Sequence, residues 1–132
     1  MRAIRVVAAL IAHPEDRSRF LVQQRLANVS RPLLWEFPGG KVEPGESDQQ
    51  ALAREGREEL AVELDVGERV WSTVHAYEDL TVELVLYRAC IASGALQRLH
   101  ANDLAFLTPK EMKAKPFCEA DLPLLDFLSK HA

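Results

Sequence analysis

A mixed α/β (α+β) fold, with a β-sheet carrying helices on both faces, is predicted by three observations. Segments rich in Val, Ile, Leu and Phe recur along the chain, a helical period interrupts them near the middle, and a second helical period closes the C-terminal end. The 132 residues, 48% hydrophobic and 27% charged, have the size and composition of one globular domain, so a single domain over residues 1–132 is expected.

Arg2 to Ala12 and Phe20 to Leu26 read as two strands, because the turn-prone His13-Pro14-Glu15-Asp16 separates two runs of β-forming residues. Leu33 to Phe37 is a short apolar stretch stopped by Pro38-Gly39-Gly40, and Pro44-Gly45 breaks the chain again. The period then changes. Ser47 with Gln50 three residues later has the layout of a capping box, and Ala51, Leu52 and Leu60 recur at helical spacing, which predicts a helix over about 47–60. Val62 to Val74 and Leu80 to Ala92 return to strand character, and a short strand near Leu104 to Leu107 precedes a weak helix after Pro109. Leu122, Leu125, Phe127 and Leu128 place a final amphipathic helix within Glu119 to Lys130.

Several functional classes are excluded at this level. The apolar run Ile4 to Ala12 is far shorter than the ~20 residues of a membrane span, and no small-residue cleavage pattern follows it, so a cytoplasmic protein without membrane attachment is expected. Cys90 and Cys118 lack CxxC spacing and read as reduced, buried thiols. A net charge of −4 argues against binding a nucleic-acid polymer, which needs basic surface to displace counterions. The charge is unevenly spread: residues 1–31 hold six Arg against Glu15 and Asp16, and residues 32–69 hold four Lys/Arg against ten Asp/Glu. An acidic middle beside a basic start suits a metal site next to a phosphate-binding surface, although a solvated surface gives the same asymmetry.

The middle helix carries the chemistry. At about 100° per residue, Glu55, Glu58 and Glu59 fall within one arc beside the Leu52–Leu60 stripe. Like charges at i,i+3 and i,i+4 repel, and the C-terminal end of a helix disfavours anions; a hard divalent cation reverses both penalties. A solvated acidic face, with Arg54 paired to Glu58, is the alternative for such a cluster taken alone.

The segment from Gly40 through Glu46, Arg54, Glu55, Glu58 and Glu59 to Val62 closely resembles the Nudix box, in which glycine, glutamate and arginine stand at fixed spacing. All six fixed positions up to Glu59 match. Two others depart: Gly56 stands where an aliphatic residue is usual, and Ala61 where a helix-ending glycine is usual. Gly56 is expected to let the helix approach its neighbour at a cost of about 1 kcal/mol in propensity. A left-handed Ala61 is strained by a similar amount, so the helix is expected to end differently.

The resemblance implies an α/β/α sandwich that hydrolyses a nucleoside diphosphate derivative with Mg²⁺, or Mn²⁺. Glu55, Glu58 and Glu59 are then the principal metal ligands, with a backbone carbonyl from Gly39. Glu55 or Glu59 is also a candidate water-orienting base, Arg54 holds the glutamates, and Glu46 braces the loop or binds a further ion through water. Val6 to Ile11, Gln24-Arg25, Leu34 to Lys41 and Ala120-Asp121-Leu122-Pro123 are similar to the MutT-like branch, which includes 8-oxo-dGTP diphosphatases and pyrophosphohydrolases of CTP and 5-substituted cytidine nucleotides. This implies cleavage of a modified or oxidised nucleoside triphosphate to a monophosphate and pyrophosphate, a role in nucleotide-pool sanitation and DNA repair, and a monomer or homodimer. Arg25 matches a position contacting phosphate or sugar, Glu36 and Phe37 match positions lining the base pocket, and Asp121 matches a base-reading position. A carboxylate there accepts from the amine of cytosine or of guanine. A remote glutamate of some relatives falls near His100, leaving His100 or Asp103 as a further candidate base. His75 and Tyr77 are candidates for the pocket wall. A nucleotide-sugar or dinucleotide hydrolase, and a noncatalytic nucleotide-binding module, are the competing functions.

Overall fold

The computed structural model describes residues 3–131. Its strands are β1 (Ala3–Ile11), β2 (Phe20–Gln24), β3 (Trp35–Glu36), β4 (Gly39–Lys41), β5 (Glu63–Ala76), β6 (Thr81–Ser93) and β7 (Asp103–Leu107); its helices are α1 (Asp48–Leu60), α2 (Pro109–Lys113) and α3 (Leu122–His131). A 3-10 turn over Glu119–Asp121 leads into α3.

Two sheets form rather than one. The larger is mixed, in the order β4-β1-β6-β5, with β1 and β6 parallel from Ala3↔Thr81 to Ile11↔Ala89. The smaller is antiparallel, in the order β3-β2-β7. Helices cover both faces of the mixed sheet. On one side Val7, Ala9, Ile11, Val85 and Tyr87 pack on Ala51, Leu52 and Leu60 of α1. On the other, Ala8, Leu10, Val82, Leu84 and Leu86 pack on Met112 of α2 and on Leu124, Leu125 and Leu128 of α3. Burial from both sides explains why Val7 to Ile11 is apolar without alternation, as expected of a central strand with a parallel neighbour.

The first turn of α1 is set by sequence. The Ser47 side chain accepts from the Gln50 N–H at 3.1 Å, and the Gln50 side chain accepts from the Ser47 N–H at 2.9 Å. Asp48 then ties the helix to the sheet: its oxygens accept from Arg5 at 2.9 and 2.7 Å and from the Tyr87 hydroxyl at 2.6 Å. A bidentate pair of this kind fixes orientation as well as position.

The other end of α1 corrects an expectation. Ala61 does take the left-handed conformation, at φ 59° and ψ 34°, and the Val62 N–H still reaches the Gly56 carbonyl at 3.2 Å. Packing therefore overrides a local strain of about 1 kcal/mol. Gly56 behaves as expected, since an added Cβ would lie 2.8 Å from Leu64 Cγ on β5. Cys90 is a second correction: it is exposed, whereas Cys118 is buried, and both are free. The strand β4, inside the Pro-Gly-Gly breaker, was not expected; its glycines allow the backbone to lie against β1, pairing Ala8 with Gly39 and Val7 with Gly40. Among the described residues, no helix is long and apolar enough to cross a membrane.

Candidate active site

The β4 glycines prepare the site by what they leave out. Gly39 has a φ of 155°, and a side chain there would run into the Val7 carbonyl oxygen of β1. At Gly40 the added Cβ would sit 2.5 Å from the carboxyl carbon of Glu55. The strand thus lies flat on β1, and the bare Gly40 makes room for a carboxylate of α1.

Glu55 and Glu59 reach that space from successive turns of α1. Burial raises the Glu59 carboxyl above the usual carboxylate range, and the neighbouring Glu55 and Glu36 push it further; the Gly39 N–H and the Gln23 amide pull the other way. Burial also raises Glu55, against the pull of Arg54 and with a further push from Glu58. Among the described residues, Glu59 Oε1 is a fully buried side-chain oxygen with no hydrogen-bond partner. An unpartnered carboxyl oxygen buried beside a second carboxylate is costly to charge unless a cation meets it. That donor set, all hard oxygens, fits Mg²⁺ or Mn²⁺.

Arg54 organises the rim. Its guanidinium donates to Glu46 at 2.7 and 2.9 Å, to Glu55 at 2.8 Å, to Glu58 at 3.3 Å and to the Lys41 carbonyl at 3.0 Å. These bonds hold the Glu46 carboxyl well below its ordinary value. Glu58 is turned further out, with its side chain 54% exposed beside Arg54. Glu55, Glu58 and Glu59 line one groove of about 340 Å³ together with His100, although among the described residues no three His, Cys, Asp or Glu side chains are gathered as a ready metal cage. Asp103 lies at the start of β7, where its carboxylate accepts from the Leu104 N–H.

A cavity of about 420 Å³ is lined by Glu55 and Glu59 and also by Tyr77 and Asp121. Gly39, Arg25, Glu36 and Phe37 line it too, so the fold brings Glu55, Glu59 and Gly39 into one space with the residues singled out for the nucleotide, while Glu58 lines only the groove. Arg25 donates to Glu36 at 3.1 Å and to the Ser30 carbonyl at 2.8 Å, which holds its guanidinium at the wall common to cavity and groove. Asp121 is 6% exposed and accepts the Phe37 N–H at 3.2 Å. Burial, with Glu36 adding to it, pushes the Asp121 carboxyl up to about 8. Tyr77 also lines this cavity, whereas His75 points to Glu119, 3.2 Å away. The sequence reading passed over Gln23, which is 3% exposed and donates to Glu36 at 3.1 Å. Its one signal was a polar residue inside the apolar strand β2.

Residues 7–127 match the family model of the NUDIX domain. The chain belongs to the Nudix family. This Nudix hydrolase is 41% identical over 126 residues to the CTP pyrophosphohydrolase of Escherichia coli K12, covering 96% of this chain and 91% of that protein. It is 27% identical over 86 residues to the 8-oxo-dGTP diphosphatase of Proteus vulgaris, covering 65% and 75% of the two chains. The solution structure of the E. coli ORF135 protein superposes with a TM-score of 0.82 at 39% identity, over 100% of this chain and 93% of that one.

Proposed function

We propose that this Nudix hydrolase cleaves a modified nucleoside triphosphate, with a preference for cytosine-type over oxidised guanine bases, to the monophosphate and pyrophosphate. The observation that carries the reading is one cavity with the unpartnered Glu59 oxygen at one end and the buried Asp121 at the other.

At the phosphate end, Glu55, Glu58, Glu59 and the Gly39 carbonyl would hold Mg²⁺. When bound, the ion neutralises charge that develops on the phosphate oxygens during attack by water. Arg54 keeps Glu55 and Glu58 in place, and the Arg25 guanidinium offers planar donors to a phosphate or sugar oxygen. The buried carboxyls lose their cost of charging once they bind a cation, so Glu59 can serve as ligand and Glu55 as the group that orients water.

At the base end, a carboxyl held near 8 is neutral at pH 7 and therefore offers one O–H donor and one acceptor. That pair complements the amine and ring nitrogen of cytosine. Guanine presents two donors on the corresponding edge, which suits the ionised form instead. The relatives named for CTP and 8-oxo-dGTP bracket the same choice.

The test is a pyrophosphate-release screen with Mg²⁺ over canonical, oxidised and 5-substituted nucleoside triphosphates, with dinucleotides and nucleotide sugars beside them. Cytidine-type triphosphates should give the highest kcat/KM. Faster turnover of dinucleotides or nucleotide sugars than of every triphosphate would sink the substrate class.

A further inference from the structure

The 3-10 turn that carries Asp121 lacks a cap of its own. Its first flanking residue, Cys118, makes no side-chain capping bond. The amides at the start of such a turn need acceptors from elsewhere. One comes from the turn that joins β5 to β6: the Tyr77 hydroxyl accepts the Ala120 N–H at 2.9 Å, one residue before Asp121.

Tyr77 is itself held on three sides. Its N–H bonds to the Leu80 carbonyl at 2.8 Å and closes the turn between β5 and β6. The Arg31 guanidinium lies 3.7 Å over its ring, and Arg31 also pairs with Asp79 at 2.7 Å. The His75 ring meets it edge-on, 4.5 Å away. Arg31 and Leu33 have φ of 50° and 60°, so the loop between β2 and β3 is bent through left-handed geometry where this stack is made. A phenol clamped in this way has a fixed oxygen, and that oxygen sets where the turn sits.

We propose that Tyr77 is a positioning residue for base discrimination, its hydroxyl acting as the external cap that holds Asp121 at the depth where it meets the base. This rests on Asp121 being the base-reading group. Loss of the hydroxyl frees the Ala120 N–H to pivot toward water and lets the Asp121 carboxyl drift, while the ring and its Arg31 contact stay.

The experiment is a double-mutant cycle with Tyr77→Phe, Asp121→Ala and the pair, reading kcat/KM for CTP and for 8-oxo-dGTP, with thermal melts to check folding; Ala is chosen because Asn would present the same donor and acceptor as the neutral acid. Tyr77→Phe should change the ratio of the two substrates about fivefold, the size of one neutral hydrogen bond. The same change made in the Asp121→Ala background should leave the ratio where Asp121→Ala put it. An equal shift in both backgrounds would mean that Tyr77 touches the base directly and would overturn positioning through Asp121. If Asp121→Ala moves the ratio and Tyr77→Phe does not, the cap has no part in discrimination. If Asp121→Ala itself leaves the ratio unchanged, base reading by Asp121 is wrong and the role of Tyr77 falls with it.

Discussion

Glu59 and Asp121 are both buried acids whose carboxyls are raised by burial, with Glu36 adding to each, yet their surroundings differ. Glu59 has a second carboxylate, Glu55, beside it and an oxygen with no partner. Asp121 has the Phe37 N–H on one oxygen and the Arg25 guanidinium pulling against Glu36. Two adjacent carboxyls, each costly to charge and one with an orphan oxygen shut off from solvent, are an invitation to a cation. A buried acid with one oxygen satisfied by a backbone N–H is stable as a neutral donor and acceptor. Desolvation alone therefore does not define what a buried carboxyl is for; its neighbours do.

The largest test of this contrast is Glu59→Gln. It should lower kcat by several orders of magnitude, and Glu58→Gln should do the same, with cooperative melting retained in both; near wild-type turnover would remove the metal assignment. Gly40→Ala comes next, because its Cβ would meet the Glu55 carboxyl carbon at 2.5 Å. A displaced ligand of this kind should reduce kcat about 10- to 100-fold, measured as pyrophosphate release at saturating substrate.

Asp121→Ala, which removes donor and acceptor together, should act on selection instead, changing the cytosine-to-guanine ratio of kcat/KM about tenfold. In the wild type that ratio should fall as pH rises through about 8, where the carboxyl ionises among Glu36, Arg25, Tyr77 and Cys118. A flat ratio across that range would contradict the neutral-acid reading. Stability has a definite sign as well. Asp121 is raised from 3.8 in its ordinary state to about 8 in the fold, so between these values the folded chain holds the extra proton and stability falls as pH rises. Urea unfolding of Asp121→Asn should show a shallower decline over that window. The smallest effect belongs outside both sites: Gly56→Ala gains about 1 kcal/mol of helix propensity and loses about as much or more against Leu64, so its melting temperature should fall by only a few degrees with activity kept.

The sequence made these two ends legible to different degrees. Periodicity and the Ser47–Gln50 cap located α1 to within a residue, because both are local signals. The mixed sheet was inferable from its apolar strands, but its division from β3-β2-β7 was not, since pairing between distant segments leaves no local trace. Gly39 was visible as a breaker, and its close approach to Val7 depends on how β4 falls on β1. Ala61 shows the limit most clearly, adopting a conformation that its own preference opposes. The outward turn of Glu58 is equally invisible in helical spacing, because it depends on the competing pull of Arg54.

The Arg54 network has a dynamic consequence. By composition, Val42 to Glu46, with its proline and glycine, is the kind of segment that opens independently in hydrogen exchange. Arg54 instead fastens it to α1 through Glu46 and the Lys41 carbonyl, and Asp48 fastens that helix to Arg5 and Tyr87 of the sheet. Loop, helix and central strands should then open as one cooperative unit, so hydrogen exchange at the amides of the loop is expected to track that of the helix.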